Sequence, residues 1–404
     1  MKVLFLSTWF PYPPNQGSKI RAYHLLRSLA KEHQVALISF EDTPVQSDWM
    51  GHMNDLCSRV VTVPRQPFFQ SAWGARLGWL SLNPRATVGS WSKEMEQTIR
   101  DLVGSWSPDI ILATTFVMAP YALKFSAQVR LVDADNILSR MLEEEADVTR
   151  GLMPRIRRRV AAWKMRRYER RLYRQFELCL LTSERDVDRA VEYLGFERER
   201  LGFVKNGADL ARLSPGGWVK RPDSLVFNGS VTYEPNLDAM EYFIGAILPR
   251  IKEQRRGVTL TVTGSTSGVN VDRLSDGESV RFSGYVDDVR PLVGGSSVCV
   301  VPLRKGAGTR LKILEAMALG TPVVATPKGA EGLDVLPGVH LEIADTAHEF
   351  AEKTIQLLSN RKRRELLAQR GLELVRQKYD WRKIEVEFAD KIRLLLGQTG
   401  QIKG

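Results

Sequence analysis

The sequence is poor in the residues that build disulfide bonds and zinc sites. It has 3 cysteines and 5 histidines among 404 residues. The cysteines are far apart, and Cys179 and Cys299 lie in apolar segments where a thiol behaves as a small hydrophobic side chain. The histidines form no pair at the spacing of metal ligands. We therefore predict neither a disulfide framework nor a bound metal.

Long apolar runs are missing as well. No stretch approaches the roughly 20 apolar residues that span a bilayer. The opening MKVLFLSTWFPYPP has one lysine and a short apolar run that ends at prolines, which indicates a first strand rather than a signal peptide. We expect a cytoplasmic protein. The fractions of 43% hydrophobic and 26% charged residues are typical of a globular chain long enough for two domains.

Acidic residues are the third shortage, with 47 Asp and Glu against 58 Lys and Arg and a net charge of +11. Such a charge attracts nucleic acid, an anionic membrane or a phosphorylated substrate. No recognition motif for nucleic acid accompanies the charge, so we expect no nucleic-acid partner. Much of the excess is local, because the segment from Arg150 to Arg174 contains 11 basic residues and a single acid, Glu169.

This basic segment has helical spacing from Arg158 onward. One face carries apolar residues, and most arginines fall on the other side. The apolar positions are Ala161, Met165, Tyr168, Leu172 and Phe176. Such a helix is either a solvated surface helix or, in an enzyme of lipid-linked sugars, a contact for anionic headgroups at about 1 kcal/mol per arginine. The interfacial anchors would be Trp73, Trp79 and Trp91, so we expect peripheral association with the cytoplasmic face of a membrane.

Buried strands alternate with helices in two series. The first begins with KVLFLST, the helix IRAYHLLRSLAKE and QVALISF, and continues through PDIILAT, VRLVDA and ELCLLTS. The second runs through LVFNGS, TLTVTG, SVRFSGY, SSVCVVP and PVVATP. Strands without alternation, joined by helices, indicate parallel sheets covered on both faces. We predict an α/β protein with domains at 1–205 and 223–385, a linker at 206–222, and a C-terminal helix at 386–404 that packs back on the first domain.

The segment SSVCVVPLRKGAGTRLKILEAMALGTPVVAT joins a strand, a glycine loop and a helix. Thr309 can cap this helix, and Gly320 is placed to end it. A glycine loop before a helix N-terminus exposes backbone amides and the positive end of the helix dipole, which suits a phosphate. The nearby cations are Arg304, Lys305, Arg310 and Lys312.

Glu315 borders the apolar face of the same helix. On a helical wheel it falls between Leu311 and Leu319, one turn to either side. A buried carboxylate without partners would cost several kcal/mol, so it should accept hydrogen bonds. A ribose diol is one source of hydrogen-bond donors, and a nearby arginine or lysine is the structural alternative.

The stretch from Phe282 to Leu333 resembles the donor-binding region of retaining GT-B glycosyltransferases of family four. The segments FPYPPNQGSKIRAYHLL, VKNGAD and FNGSVTYEPNLDAM extend the resemblance to a subset with the PYPP opening. The resemblance implies two Rossmann-like, doubly wound domains facing across a cleft. It also implies a hexosyltransferase that moves a sugar from a nucleotide-sugar, with UDP-sugar favoured over GDP-sugar, to a glycan or lipid-linked acceptor. The resemblance further implies retention of configuration, independence of metal and other cofactors, and a role in polysaccharide biosynthesis.

The resemblance also implies a donor-binding set. Glu315 matches the family glutamate that binds the ribose of the nucleotide-sugar, and Gly17 matches the N-terminal glycine turn that faces it. The remaining members are Gly229, Arg304, Gly306, Ala307, Gly308 and Thr309, of which the last four match the loop that approaches the diphosphate and sugar.

Three positions depart from the family pattern. Ala307 stands where many members have an acid that contacts the sugar. FNGSVTYEPN lacks the usual arginine and lysine, so Arg310 and Lys312 are our candidates to meet the phosphates. Asp135 occupies the position of the family histidine, where a carboxylate could accept a proton or stabilise oxocarbenium character. Our catalytic candidates are therefore Asp135, Arg310 and Lys312, and we expect Asp133 to order its loop.

Other functions remain open on residues alone. Asp133 and Asp135 match the acid-any-acid pattern with which metal-dependent glycosyltransferases hold a divalent metal. Asp186 and Asp188 match the same pattern. A nucleotide-dependent dehydrogenase would place an acid near Glu41, but the first loop has a single glycine. A sugar-nucleotide epimerase or hydrolase would share the GT-B fold.

Overall fold

The computed structural model describes residues 1–65, 81–84, 87, 91–149, 151–306 and 308–401. The chain divides into two compact units. Unit 1 comprises Met1–Lys205 and Ile384–Gly404, and unit 2 comprises Asn206–Lys383. The predicted anchors Trp73 and Trp79 and the loop residue Ala307 lie outside the described residues.

Unit 1 is built on a parallel sheet of seven strands in the order β3-β2-β1-β4-β5-β6-β7. The strands are β1 Lys2–Ser7, β2 Gln34–Glu41, β3 Arg59–Pro64, β4 Ile110–Thr114, β5 Val129–Asp135, β6 Leu178–Leu181 and β7 Leu201–Phe203. The helices described in this unit before residue 205 are α1 Gly17–Ala30, α2 Ser47–Leu56, α3 Lys93–Trp106, α4 Thr115–Ala122, α5 Leu138–Val148, α6 Leu152–Tyr173 and α7 Glu184–Leu194. The strand order reverses between β1 and β4, which makes the sheet doubly wound.

Unit 2 repeats this plan with six parallel strands in the order β10-β9-β8-β11-β12-β13. The strands are β8 Ser224–Asn228, β9 Thr259–Thr263, β10 Val280–Gly284, β11 Val298–Val301, β12 Val323–Ala325 and β13 Glu342–Ile343. The helices are α8 Glu234–Tyr242, continued by a π-helical turn, α9 Leu248–Gln254, α10 Arg290–Gly294, α11 Leu311–Ala318, α12 Ala347–Ser359, α13 Arg361–Lys378 and α14 Trp381–Gln401, which crosses into unit 1. The α/β fold with two parallel sheets is thus confirmed.

The central strands explain this architecture. In β1, Val3, Leu4, Phe5 and Leu6 are fully buried, so both faces of the strand are covered. β11 is buried over its whole length as well. Such non-alternating apolar strands pair in parallel only where helices cover both faces of the sheet.

The residues predicted as a linker, 206–222, are counted in unit 2. The ammonium of Lys220 donates to Thr321 Oγ1 at 2.7 Å, and the Arg221 amide donates to the Gly295 carbonyl at 2.9 Å. The C-terminal helix lies on α1, where Glu385 accepts hydrogen bonds from His24, Arg27 and Lys31.

The basic helix differs from its prediction. It begins at Leu152 rather than Arg158, because Pro154 falls in the first turn, where a missing amide hydrogen costs nothing. Its buried face includes Ala162 instead of Ala161, which is exposed. It ends at Tyr173, so Phe176 is buried beyond the helix.

None of the helices in the described part of the chain is both long and apolar enough to cross a bilayer.

Candidate functional site

The site in unit 2 lies where its strand order reverses, between β8 and β11. β8 ends at Asn228 and is followed by Gly229, while β11 leads into the glycine loop and α11. The carboxyl ends of neighbouring parallel strands open to the same edge of a sheet, and ligands bind there in open α/β folds. This topology brings the predicted residues of unit 2 to one edge.

The glycine loop has the conformation that its sequence requires. Gly306 and Gly308 have φ of 101° and 84°, in the region where residues with a Cβ are strained. A Cβ on Gly306 would also lie 3.2 Å from Pro235 Cβ. Both positions therefore need glycine.

The start of α11 corrects one prediction and its end confirms another. Arg310, not Thr309, occupies the cap position, and no side chain caps the helix. Thr309 lies one residue too early and instead accepts a hydrogen bond from Asn206 Nδ2 at 3.3 Å. At the other end Gly320 has φ of 68° and closes the helix, as predicted.

Glu315 points toward the end of β8. It is partly buried and accepts a hydrogen bond from Asn228 Nδ2 at 2.8 Å. Asn228 is held by the Cys299 thiol, 3.5 Å from its Oδ1. Burial raises the pKa of Glu315, while Asn228, Lys312 and Arg212 oppose that rise. No arginine or lysine among the described residues is within ion-pair distance, so the direct partner of this carboxylate is a neutral amide.

Lys312 stands one turn before Glu315 on the same face. Its ammonium donates to Asn236 Oδ1 at 2.6 Å and lies 4.0 Å from the centre of the Phe227 ring. Burial, and then repulsion from Arg310, lowers the pKa of Lys312 to about 7. Its hydrogen-bond acceptor is a neutral amide, and no carboxylate of the described residues lies within ion-pair distance of the ammonium, which favours an incoming anion.

Gly229 provides the space that Lys312 occupies. A Cβ at Gly229 would lie 2.8 Å from Lys312 Nζ, 3.0 Å from Asn236 Nδ2 and 3.3 Å from Phe227 Cε1. Real Cβ atoms do not approach an ammonium so closely, so a side chain here would displace Lys312.

Arg310 is 5% exposed and braces the glycine loop. Its guanidinium donates to the Gly306 carbonyl at 2.7 Å and to the Lys328 carbonyl at 3.3 Å. Both of these acceptors are neutral carbonyl oxygens.

Arg304 and Lys305 have acidic partners on α8. The Arg304 guanidinium makes a two-point contact with Asp238, at 2.7 and 3.1 Å, and stacks on Tyr242. Lys305 pairs with Glu234 and with Asp238. Of the four cations that we expected near a phosphate, these two are thus neutralised by neighbouring carboxylates.

The candidates of unit 1 lie on two elements. Gly17 is the first residue of α1, whose N-terminal end has no side-chain cap. Asp135 ends β5 with φ of 60°, a left-handed conformation that strains residues other than glycine. The pairing of β5 with β6 is irregular between Asp133 and Asp135, so the two side chains do not follow simple strand alternation.

Asp133 has a structural partner. It is 3% exposed and accepts from the Arg21 Nε and Nη2 atoms at 2.7–3.0 Å. Arg21 also donates to the Val204 carbonyl at 2.7 Å and so ties α1 to β5 and the end of β7. A carboxylate engaged in this way is a poor metal ligand, which favours the loop-ordering role that we predicted for Asp133.

The second acidic triplet is also used locally. Asp186 accepts from Thr182 and Ser183 at the start of α7, and Asp188 pairs with Arg198. In the part of the chain that the structure describes, no group of three or more His, Cys, Asp or Glu side chains could hold a metal ion.

Sequence reasoning missed three polar residues that shape these sites: Arg21, Asn228 and Asn236. Asn228 had a usable signal, because a polar residue that ends a buried strand before a glycine is placed at the ligand-binding edge. Arg21 and Asn236 had none, since each is defined by a partner distant in sequence.

Comparison with known families agrees with this geometry. Residues 16–207 match the family described as glycosyl transferase 4-like domain, and residues 222–360 match glycosyl transferases group 1. An uncharacterised 44.6 kDa protein in the cps region of Klebsiella pneumoniae is 21% identical over 95% of this chain and 97% of its own. A phosphatidyl-myo-inositol mannosyltransferase of Mycobacterium leprae is 29% identical, but over only 44% of this chain and 49% of its own.

Solved structures share the fold over nearly the whole chain. HepE of Anabaena has a TM-score of 0.66 at 15% identity, covering 97% of this chain and 99% of its own. Sucrose-phosphate synthase of Thermosynechococcus elongatus has a TM-score of 0.72 at 16% identity, covering 98% and 100%. WaaG, a glycosyltransferase of lipopolysaccharide biosynthesis, has a TM-score of 0.65 at 14% identity, covering 96% and 99%.

Two doubly wound units, with a glycine loop and helix at the switch point of the second, define the GT-B class of fold. The protein is a glycosyltransferase, and the family and structural matches support its assignment to glycosyltransferase group 1.

Proposed function

We propose that this enzyme transfers a hexosyl group from a UDP-sugar to a hydroxyl of a glycan or lipid-linked acceptor, in polysaccharide biosynthesis. Retention of configuration and independence of metal are part of the proposal. The observation that carries it is the face of α11, where Lys312 and Glu315 lie opposite Asn228 and Gly229 beside the glycine loop. The relative in a cps region, the neighbour in lipopolysaccharide biosynthesis, and the neighbour solved with UDP and glucose support the choice of acceptor and nucleotide.

Glu315 would bind the ribose of the nucleotide. One hydrogen bond from Asn228 leaves most acceptor sites of its carboxylate unfilled, and its partial exposure leaves them accessible. Two ribose hydroxyls would donate charge-assisted hydrogen bonds, which are stronger than neutral ones.

Lys312 and Arg310 would meet the diphosphate. When the sugar leaves, negative charge grows on the diphosphate, and preorganised cations stabilise the transition state more than the ground state. The glycine loop, which Arg310 braces, would add backbone amides.

Asp135 would act on the sugar or the acceptor. Its strained backbone at the end of β5 is typical of residues held for function. As a carboxylate it would accept the proton of the acceptor hydroxyl or stabilise oxocarbenium character. We predict that Asp135→Asn lowers kcat and leaves UDP affinity unchanged.

Calorimetry with UDP, GDP and ADP tests the binding half of the proposal. We expect UDP to bind best, and Glu315→Gln to weaken its binding by about 1.5–3 kcal/mol through loss of charge-assisted bonds. Glu365→Gln, an exposed acid on α13, is the matched control and should bind normally. Normal UDP affinity combined with a much lower melting temperature in Glu315→Gln would make Glu315 a structural residue.

Single-turnover kinetics test the chemical half. We expect Lys312→Ala and Arg310→Ala to lower kcat by about 100-fold, because each removes charge stabilisation that matters most in the transition state. Lys312→Ala is the cleaner variant, since Arg310 also holds the loop. Turnover should survive EDTA, and its loss with recovery by manganese would contradict metal independence. Product analysis with and without acceptor would reveal hydrolysis or epimerisation instead of transfer.

A further inference from the structure

The first half of α6 stands out from the surface of unit 1. Residues 151–161 are all exposed, although this stretch is rich in large apolar side chains. Four of them and Trp163, just beyond this stretch, are exposed by 39–74%: Leu152, Met153, Ile156, Val160 and Trp163. Scattered exposed apolar residues are normal, but a contiguous set marks an interaction site.

These five residues form one stripe. At roughly 100° per residue, they fall within an arc of about 100° on the helical wheel. The stripe points away from the face that packs on unit 1, which carries Ala162, Met165, Tyr168 and Leu172. The helix thus has two apolar faces, and the outward one has no partner among the described residues.

Basic residues flank this outward stripe. On the wheel Arg157 borders one edge, and Arg155 and Arg159 border the other, and all three are exposed. Arg159 pairs with Asp147 at 3.3 Å, but both partners are solvated and such a pair contributes little. We call the stripe and these three arginines the outer face of α6.

The arginines of the outer face distinguish between the partners that could cover it. The spacing of Met153, Ile156, Val160 and Trp163 would fit a coiled coil with a second copy. A second copy would, however, bring like arginines against the flanks, which is unfavourable. An anionic lipid surface satisfies both features, because headgroups attract the arginines and the acyl boundary accepts the apolar stripe.

We propose that the outer face of α6 docks the protein on an anionic bilayer, with the apolar stripe inserted at the interface. Trp163 suits the level of the headgroups, where indole rings are enriched. The arginines extend their charged ends to the lipid phosphates while their aliphatic stems cover the stripe. The anionic lipids of the cytoplasmic leaflet offer the required charge. This inference stands on the exposed stripe and its charge, independently of the proposed transferase chemistry.

Vesicle co-sedimentation tests the proposal, with phosphatidylcholine vesicles containing or lacking about a third of phosphatidylglycerol. We expect binding to the anionic vesicles that falls with salt. Replacing Arg155, Arg157 and Arg159 by glutamine should weaken it about 100-fold, given the known attraction per basic residue. Replacing the exposed Arg361, Lys362 and Arg370 of α13 in the same way changes net charge equally and should leave binding nearly unchanged.

The apolar stripe has its own variant. Ile156→Ser with Trp163→Ser should weaken vesicle binding at least tenfold. Val219→Ser with Leu336→Ser, two exposed apolar residues of unit 2, is the control. Both stripe residues are exposed, so we expect an unchanged melting temperature and unchanged hydrolysis of a soluble UDP-sugar.

Three outcomes would overturn the proposal. Absence of binding to anionic vesicles would reject membrane docking. Unchanged binding of Ile156→Ser with Trp163→Ser would reject insertion and leave surface attraction alone. A dimer in sedimentation velocity that separates in this variant would show that a second copy covers the stripe.

Discussion

Two carboxylates near the switch points of the two sheets have opposite environments. Asp133 in unit 1 is almost fully buried and receives three hydrogen-bond contacts from Arg21. Glu315 in unit 2 is partly buried and receives one, from the neutral amide of Asn228. The charge of Asp133 is compensated by the Arg21 guanidinium. The Glu315 carboxylate keeps acceptor sites that a ligand could fill. A charged partner and near-complete burial thus mark the structural acid, whereas the candidate binding residue keeps unfilled acceptor sites and access to solvent.

Glu169 shows that a neutral partner alone does not make a binding residue. It is fully buried and accepts from the Leu138 and Ser139 amides and from Ser139 Oγ, at the start of α5. Burial raises its pKa to about 7 despite these hydrogen bonds. Three donors use most of its acceptor sites and the side chain is fully buried, so Glu169 serves to cap a helix. A candidate needs both unfilled capacity and access, as Glu315 has.

The largest effect that we expect is on stability, when Asp133 loses its charged partner. Arg21→Met leaves the Asp133 charge buried without its partner, so we expect unit 1 to lose about 3–5 kcal/mol of unfolding free energy. Urea unfolding combined with limited proteolysis, which resolves the two units, measures this loss. Glu315→Gln is the comparison and should change stability by less than about 1 kcal/mol.

A double variant sharpens this test. Arg21→Met with Asp133→Leu removes both charges and should recover part of the lost stability, because a buried pair can be replaced by apolar side chains at low cost. Arg21→Met with wild-type stability would mean that Asp133 is not a structural residue and would reopen its metal-binding alternative.

The next effect concerns the space beside Lys312. Gly229→Ala places a Cβ against the ammonium, which is the mobile end of a long side chain, so we expect the fold to survive and Lys312 to move. A displaced cation should lower kcat by about 10–100-fold. Stopped-flow turnover against Gly257→Ala, whose added Cβ meets nothing within 4 Å, measures this effect. Equal rates in the two variants would show that the position of Lys312 does not matter.

Sequence patterns predicted most of the central strands and several helices, and missed elements with a weak apolar signal. β3 was missed because it is an edge strand of which only Val63 is fully buried. α13 was missed because charged residues dominate it and Gly371 interrupts it. That glycine allows close packing, since a Cβ there would lie 2.9 Å from Met317 Cγ.

The site residues divide in the same way. The glycine loop and the end of α11 follow from local backbone requirements, so the sequence was sufficient for them. The pairing of Arg304 with Asp238, 66 positions away, and of Arg21 with Asp133, 112 positions away, depends on tertiary structure. Local sequence does not encode such distant pairings, although they decide which charges remain for a ligand.

The smallest effect is a pH dependence of nucleotide binding. Because the pKa of Lys312 is lowered to about 7, its ammonium is partly deprotonated near neutral pH in the free enzyme. A bound diphosphate would raise this pKa, so binding takes up a proton. Full affinity is then present below the free-enzyme pKa of about 7 and falls as pH rises through it, by up to about tenfold per pH unit.

Calorimetry of UDP binding measures the proton uptake, in buffers of different ionisation enthalpy and between pH 7.5 and 9, where the phosphates stay ionised. Lys312→Arg keeps its charge throughout this range and should show a flat profile. A profile equally steep in Lys312→Arg would assign the proton to another group and remove the argument that Lys312 meets the diphosphate.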